Sequence, residues 1–381
     1  MHFIRLCNIN FKYNYTPFLF IILPGSSTFM DLESISQAFK TTINQKVVEH
    51  YFIQNIKGTK VGICNYGARI THFIILDSEY QAIDIVLGFN DIESYVNANE
   101  HYHGATVGPF ANRIAYSKFK LGEKEFELNS NDGLNTLHSS TAGFHNKVWK
   151  VINISTNEIC LQIAHKNLSG GFPGNIVCSI TFTLTDDDEL VMKYHAKSNQ
   201  NTVINLTNHA YFNLNGEGNS DVLAHVVKIN ANSFVEINQK SIPTGKLKKV
   251  DLTPFDFRAF KSIGNDIEVD DEQLKNGNGY DHSFELNETN NQLNFAAAAI
   301  GDKSKIKLEV YTTEPAMQFY TGNFLNGKDK GKSSNFYGRR TAFCFETQHH
   351  PDSPNQPQFP STFLAKGQEF ISTSIYKVSI I

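Results

Sequence analysis

Cysteine is scarce in this sequence, and its five copies are scattered at Cys7, Cys64, Cys160, Cys178 and Cys344. The number is odd and no two of them form a CxxC pair. This pattern argues against a structural zinc knot and against a disulfide framework as the basis of the fold. A reducing compartment is therefore the default, and we expect a cytoplasmic protein.

An excess of positive charge and a long apolar run are also missing. The chain has 34 Lys and Arg against 38 Asp and Glu, a formal net charge of −4 and a pI of about 6.4. Binding to nucleic acid requires basic patches, for which this balance gives no basis. Residues 18–23 are apolar but too few to span a bilayer. We therefore expect neither a nucleic-acid partner nor a membrane partner.

Residues 1–29 allow two interpretations. Basic residues precede the apolar segment 18–23, and Pro24, Gly25 and two serines follow it, as in the three regions of a signal peptide. Met30 then opens an acidic stretch. Residues 1–29 are therefore either a leader that would export the protein or an over-extended start. Residues 30–381 are predicted to form a single domain, because no repeat, low-complexity tract or long linker divides them.

Aromatic residues are plentiful, with 30 Phe and 15 Tyr against one Trp and four Met, a balance that favours strands. Apolar and polar residues alternate in residues 177–184, 189–197 and 305–313, which is typical of antiparallel strands with one buried face. Residues 119–128 predict a hairpin around Gly122, and residues 32–39 and 91–96 predict short helices. The fold class predicted is all-β, a large antiparallel sandwich of two sheets with few short helices.

Polar residues interrupt four strand-like or glycine-rich segments that lie far apart in the chain: 104–114, 135–139, 205–216 and 343–354. Arg113 ends the first segment and offers a rigid fork of donors that suits sugar hydroxyls or a carboxylate. His138 lies near a turn in the second. Both residues also have a structural interpretation, in which Arg113 braces a loop and His138 stabilises a turn.

His209 and Glu346 are candidates for acid–base chemistry. A neutral imidazole donates from one nitrogen, accepts at the other and titrates near neutrality. Glu346 follows the apolar run FCF, so we expect it at the inner end of a strand, where partial removal from water raises the pKa of a carboxyl group. A core histidine and a buried ion pair are the structural alternatives. Asp281, in GYDH, is a carboxylate of the kind that grips a pair of sugar hydroxyls.

Together these segments resemble the galactose mutarotase (aldose 1-epimerase) family. The matches run in the family's order from about Gly62 to Lys377: GATVG with ANRI, NTLH, a GF…VW element, TNHAYFNL, NGYDH, EPAMQFYTGN and ETQHHPDSPNQPQFPS. The last is long and unusually specific. The resemblance implies a galactose mutarotase-like supersandwich with a sugar-binding cleft on its concave side. It also implies an enzyme that interconverts the α and β anomers of free hexoses such as galactose and glucose.

Position within these motifs implies a role for each candidate. Glu346 resembles the family's general base and His209 its general acid, although spacing alone leaves His138 open as the acid. The implied substrate-binding residues are Arg113, His138 and Asp281, with Asn112, Tyr211 and Gln318 as secondary contacts. The resemblance implies no metal and no organic cofactor. We expect a monosaccharide as the small-molecule partner and a monomer or homodimer.

Two departures from the family's pattern lie beside these residues. Pro109 stands where many members have arginine, and Ser139 and Ser140 follow His138 where glycines are frequent. Neither removes a candidate catalytic group, but both neighbour residues that are expected to bind the sugar. We therefore expect any change in substrate choice to arise here.

Three other functions are weighed against this one. A hexose-6-phosphate 1-epimerase would need a basic phosphate pocket, and Pro109 in place of arginine argues against it. A catalytically silent sugar-binding protein on the same fold would lack the acid or the base, and this sequence has both. A metal site would use the histidine pairs 101/103 and 349/350. Adjacent residues on a strand point to opposite faces, which argues against that reading.

Overall fold

Strands dominate the regular structure of residues 31–287 and 292–381, the part of the chain that this computed structural model describes. The two interpretations of residues 1–29 fall outside these residues and stay predictions. The helices are α1 (Leu32–Ala38), α2 (Ile92–Asn97) and α3 (Glu272–Gly277), with short 3₁₀ turns at Ala115–Ser117, Ser140–Ala142, Phe144–Asn146, Ser169–Gly171, Ile263–Asn265 and Ser353–Asn355. Of the helices described, none has the length and apolar character needed to cross a membrane.

The strands are, in chain order, β1 (Thr41–Ile43), β2 (Lys46–Val48), β3 (His50–Gln54), β4 (Lys60–Cys64), β5 (Arg69–Leu76), β6 (Ala82–Asp84), β7 (Thr106–Val107), β8 (Arg113–Ile114), β9 (Lys118–Leu121), β10 (Lys124–Glu127), β11 (Thr136–Leu137), β12 (Lys150–Ile154), β13 (Glu158–His165), β14 (Ile176–Leu184), β15 (Glu189–Ser198), β16 (Thr202–Val203), β17 (Thr207–Asn208), β18 (Val226–Ile229), β19 (Ala231–Ile237), β20 (Pro243–Lys249), β21 (Lys261–Ser262), β22 (Asp281–Leu286), β23 (Asn294–Ile300), β24 (Ile306–Thr312), β25 (Ala316–Tyr320), β26 (Cys344–Gln348), β27 (Phe363–Leu364) and β28 (Glu369–Ile380).

Two large sheets organise these strands. Nine strands pair in the order β12-β13-β14-β15-β28-β24-β23-β18-β21, and five pair in the order β20-β19-β22-β25-β26. A four-stranded sheet, β3-β4-β5-β6, and five two-stranded ladders accompany them. All pairings between these strands are antiparallel. The prediction of an all-β, antiparallel fold with few short helices is confirmed.

Hydrophobic alternation predicts correctly which face of a strand is buried. Cys178, Ile180 and Phe182 of β14 are fully buried, as the alternation predicts. Burial raises the pKa of the Cys178 thiol, which suits an inert core position. The predicted hairpin forms as β9 and β10, and the predicted helices form as α1 and α2. The pattern does not predict α3, whose first turn is held by the side chain of Asp271.

The main hydrophobic core joins residues of the nine-stranded, the five-stranded and the four-stranded sheets. Tyr376 of β28 donates from its hydroxyl to the carbonyl of Phe345 in β26 at 3.0 Å, and its ring packs edge-on against Phe212. Each fully buried Phe contributes roughly 1.5–3 kcal/mol to this packing. Because side chains alternate along a strand, burial of Phe345 in the core turns the next residue, Glu346, to the other face of its sheet.

Gly104 connects this frame to the candidate site. Its N–H donates to the carbonyl of His209 at 2.9 Å, and its carbonyl accepts the amide of Asn208 at 2.8 Å. Its φ is +67°, and a Cβ there would lie 1.8 Å from the carbonyl oxygen of Ile70. A side chain at this position would therefore displace backbone.

We expect Gly104→Ala to lower the free energy of unfolding by about 3 kcal/mol or more, because both the left-handed φ and the clash oppose it. Gly122→Ala is the matched control, since Gly122 has φ +61° but its Cβ would meet nothing within 4 Å. Urea unfolding of both variants measures the difference. An equal loss in the two variants would show that the contact with Ile70 has no such effect.

Candidate active site

Polar side chains from distant parts of the chain meet in one pocket. Seven of the eight residues proposed from the sequence line it, and five further residues join them. The lining is Glu100, Tyr102, Asn112, Arg113, Leu137, His138, His209, Tyr211, Asp281, Tyr320, Phe324 and Glu346. The eighth, Gln318, lies behind the pocket wall and donates from its amide to Asp281 Oδ1 at 2.6 Å.

Strand register explains how three of these residues come together. Gln318 of β25 lies opposite Glu346 of β26, and on its other side β25 pairs with β22, where Asp281 begins the strand opposite Tyr320. Glu346 is the central residue of β26 and not at its end, which corrects the expected position. A central strand position is rigid, so the carboxyl group is held in place by the sheet.

His209 follows β17, which pairs with β7. Its ring lies between two tyrosines in nearly parallel stacks, with centroids 4.9 Å from Tyr211 and 5.7 Å from Tyr102. Its Nδ1 lies 3.5 Å from the sulfur of Cys344, and burial keeps that cysteine a thiol by raising its pKa. These contacts fix the ring and turn Nε2 toward Glu346.

The closest approach of the two candidate catalytic groups is 3.5 Å, between His209 Nε2 and Glu346 Oε1. Their residues are only 4% and 2% exposed. They lie side by side and do not face each other across the pocket. The side-by-side arrangement suits two oxygens on one carbon, because such oxygens are themselves close neighbours.

Burial sets the charge state of this pair. Removal from water raises the pKa of Glu346 well above its ordinary value, and the charges of Asp281 and Glu100 add to the rise. Removal from water also lowers the pKa of His209 to about 3. Burial thus opposes the ion pair that water favours, whereas the attraction between the two groups at 3.5 Å supports it. The ion pair, with the proton on His209, and the neutral pair, with the proton on Glu346, are thereby brought closer in free energy.

A reciprocal contact fixes the tautomer of His138. Its backbone N–H donates to the carbonyl of Asn112 at 3.0 Å, and the backbone N–H of Asn112 donates to His138 Nδ1 at 3.1 Å. Because Nδ1 accepts, the proton of the neutral ring is on Nε2. Burial also lowers the pKa of His138 well below its ordinary value. His138 is therefore a fixed hydrogen-bond donor from Nε2.

Arg113 and Asp281 lie close together in the pocket lining. Arg113 Nε donates to Asp132 Oδ2 at 2.8 Å, and its Nη1 lies 3.9 Å from Asp281 Oδ2. Burial raises the pKa of Asp281, and the Arg113 charge works against that rise. The two side chains can present donors and acceptors to the same set of hydroxyls.

The two departures from the family's pattern do not line the pocket. The carbonyl of Pro109 accepts the N–H of Asn205 at 2.9 Å. The hydroxyl of Ser139 contacts the N–H and the carbonyl of Phe110 at 2.8 and 2.9 Å. Both residues therefore brace the loops that carry Asn112 and His138, and any effect on substrate choice would be indirect.

Five lining residues are absent from the prediction: Glu100, Tyr102, Leu137, Tyr320 and Phe324. Asp132, which binds Arg113 beside the pocket, is also absent from it. Tyr320 could have been found, since it lies two residues after Gln318 on the same face of β25. Glu100 and Asp132 lie in irregular segments, where no periodic signal shows which way a side chain points. Phe324 is 53% exposed at the pocket and offers an aromatic face to a ligand.

Of the histidines predicted as alternative metal ligands, His349 and His350 are engaged elsewhere. His349 binds Glu314 at 2.7 Å and His350 binds Ser283 at 2.8 Å. Within the described ranges, the side chains close enough to share an ion are His138, His209 and Glu346, whose ligand atoms lie within 4.8 Å of one another. Metal-bound histidines normally donate from their second nitrogen. The Nδ1 of His138 accepts instead, so its Nε2 carries a proton where a metal would bind.

The chain is similar to known proteins over most of its length. The family model for aldose 1-epimerase matches residues 49–377. The galactose mutarotase of Bos taurus is 39% identical over 333 residues, which are 87% of this chain and 94% of the bovine protein. The aldose 1-epimerase of Escherichia coli is 34% identical over 327 residues, 85% of this chain and 93% of that protein.

Solved structures give the same result for the fold. The crystal structure of an aldose epimerase homologue from C. elegans has a TM-score of 0.79 and 26% identity, and the match covers 87% of this chain and 99% of that one. The likeness therefore extends over nearly the whole of each of these proteins. The chain belongs to the aldose 1-epimerase family of isomerases, also called mutarotases.

Proposed function

We propose that the aldose 1-epimerase activity of this chain acts on free hexoses such as galactose and glucose, with Glu346 as the general base and His209 as the general acid. The observation that carries the proposal is the buried contact of 3.5 Å between Glu346 Oε1 and His209 Nε2 in a pocket rich in hydrogen-bonding groups. A base and an acid at this spacing can reach the two oxygens of one hemiacetal carbon.

Ring opening uses both groups at once. Glu346 takes the proton of the anomeric hydroxyl as the C1–O1 bond becomes a carbonyl. The bond between C1 and the ring oxygen breaks, and His209 gives its proton to that oxygen. The ion pair becomes a neutral pair, so the net charge of the site does not change. After rotation about C1–C2, the ring closes on the other face with the two roles reversed.

Arg113, His138 and Asp281 hold the remaining hydroxyls while C1 turns, with Asn112 and Tyr211 as secondary contacts. Gln318 acts by orienting Asp281 through the bond of 2.6 Å. The fixed Nε2–H of His138 supports a binding role, because an imidazolium would bring a second N–H against the N–H of Asn112. This favours His209 over His138 as the acid.

The charge of the pocket favours free sugars over hexose 6-phosphates. Three carboxyl groups line it, those of Glu100, Asp281 and Glu346. Arg113 is the one lysine or arginine among the lining residues, and it is already paired with Asp132. A dianionic phosphate would meet these carboxyl groups without a basic cluster to receive it. A silent sugar-binding protein would not need the close pair of Glu346 and His209.

Polarimetry on freshly dissolved α-D-galactose, α-D-glucose, xylose and arabinose tests this function. We expect the purified protein to accelerate the approach to anomeric equilibrium for the free aldoses, and to leave the spontaneous rate of a hexose 6-phosphate nearly unchanged. Spontaneous relaxation without protein is the control. No acceleration with any free aldose would contradict the proposal.

The protonation of Glu346 and His209 predicts how kcat depends on pH. The single-proton form persists from above the pKa of His209, about 3, to the raised pKa of Glu346. We therefore expect kcat to show no imidazole transition at the ordinary value of 6.5, because the pKa of His209 is lowered to about 3. Saturating galactose in a polarimeter measures this. A halving of kcat near pH 6.5 would contradict it.

We also propose a cytoplasmic protein that works as a monomer or homodimer, with export through an N-terminal leader as the alternative. Cys64, Cys160, Cys178 and Cys344 are free thiols, which supports a reducing compartment. Light scattering of the purified protein distinguishes the two oligomeric states.

A further inference from the structure

Glu100 lies in the pocket, although no sequence motif predicts it there. Its Oε1 accepts the N–H of Tyr102 at 3.0 Å, and its own N–H donates to Asp329 Oδ2 at 2.9 Å. The other oxygen of Asp329 accepts both the N–H and the side-chain amide of Asn99, each at 2.8 Å. The segment that carries Glu100 is thus fixed by side-chain and backbone contacts before a sugar arrives.

Glu100 lines the same pocket as His209 and Glu346. The nearby hydroxyl of Tyr211 lowers the pKa of the Glu100 carboxyl group, and the ring of Tyr211 stacks on His209. The charge of Glu100 also reaches Glu346, whose pKa it helps to raise. A carboxylate has about four acceptor sites, so the N–H of Tyr102 leaves capacity for a sugar hydroxyl.

The charge of Glu100 has no cation of its own in the pocket lining, and Arg69 acts on it from outside the lining. Arg113 is the cation among the lining residues, and its Nε already binds Asp132 at 2.8 Å. When ionised, Glu100, Asp281 and Glu346 therefore make the pocket negative. Such a pocket repels a second anion and accepts hydrogen bonds from hydroxyls.

We propose that Glu100 is a further substrate-binding residue, which accepts a hydrogen bond from a sugar hydroxyl and selects neutral hexoses over anionic ones such as hexuronates. This rests on the proposed function and names the substrate class that the same site prefers. Glu100 contributes to binding and not to proton transfer, because Glu346 and His209 already supply the base and the acid.

The test compares Glu100→Gln with the wild-type enzyme on galactose and on galacturonate at about pH 8. We expect the KM for galactose to rise about tenfold, because a charge-assisted hydrogen bond becomes a neutral one, with kcat changed less than about threefold. The KM for galacturonate should fall by about threefold or more, because one repelling charge is gone. A purely structural effect would not move the two constants in opposite directions.

A second signature is the dependence of KM on pH. Burial raises the pKa of Glu100 to about 7, so the carboxylate is present above this pH and is lost below it. The KM of the wild-type enzyme for galactose should therefore fall between about pH 6 and about pH 8, whereas that of Glu100→Gln should not. The charged and titratable groups that interact with Glu100 from neighbouring segments are Asp329, Arg69, Tyr102, Tyr211, Tyr320, Cys344 and Glu346.

Glu93→Gln is the matched control, since Glu93 is an exposed glutamate in the nearby α2, and it should change neither KM. The assignment is overturned if Glu100→Gln leaves both KM values within twofold of wild type, or shifts them in the same direction. Absence of galactose mutarotation by the wild-type enzyme would overturn the proposed function as well, so the two failures are distinguishable.

Discussion

Glu346→Gln should fold normally and lose mutarotation, with kcat reduced by about 10³–10⁴-fold. The amide has nearly the shape of the carboxyl group but cannot take the proton of the anomeric hydroxyl. The KM should change much less, since the hydrogen-bonding groups that hold the other hydroxyls are untouched. Polarimetry with freshly dissolved α-D-galactose measures both constants.

Unfolding by urea gives an independent readout for this variant. The raised pKa of Glu346 means that its charged form is less stable in the folded protein than in the unfolded chain, so above the ordinary carboxyl range ionisation costs stability. The neutral amide avoids this cost, and Glu346→Gln should be at least as stable as wild type at about pH 8. Glu285→Gln, on β22 of the same sheet and outside the pocket lining, is the control for activity. Near-normal activity of Glu346→Gln would remove Glu346 from the mechanism.

His209→Asn should reduce kcat by about 10²–10⁴-fold, because the ring oxygen then receives no proton as the ring opens. Asparagine keeps a polar group between Tyr102 and Tyr211 but cannot cycle between the two protonation states. The double variant with Glu346→Gln should be little slower than the slower single variant, since the two groups work as one unit. Single-turnover polarimetry of the three variants measures these effects.

Comparison with His138→Gln decides which histidine is the acid. The fixed Nε2–H of His138 predicts a binding role, so His138→Gln should raise the KM more than it lowers kcat. The opposite split, with kcat lost in His138→Gln and largely kept in His209→Asn, would exchange the two assignments.

Local chemistry made the strands and the catalytic candidates predictable. Alternation identifies the buried face of β14 because a strand with one wet face repeats every two residues. Motif resemblance brought His209 and Glu346 together across more than a hundred residues of sequence. Neither source gives their relative orientation, which depends on the pairing of β17 with β7 and of β25 with β26.

The site features that the sequence does not predict depend on contacts between distant segments of the chain. Glu100 reaches the pocket because Asp329, more than two hundred residues away, binds the backbone beside it. Asp132 reaches Arg113 from a turn. The role of Gln318 behind the wall depends on a single hydrogen bond to Asp281, and no periodicity separates a residue that touches the sugar from one that holds another residue in place.

A crystal structure of Glu346→Gln with bound galactose tests the central claim most directly, since the slow variant keeps the sugar in place. We predict the anomeric hydroxyl within hydrogen-bonding distance of the residue 346 amide, and the ring oxygen within the same distance of His209 Nε2. A sugar bound instead in the separate groove beside Glu314 and Phe363 would contradict the account. So would one whose anomeric carbon lies away from both residues.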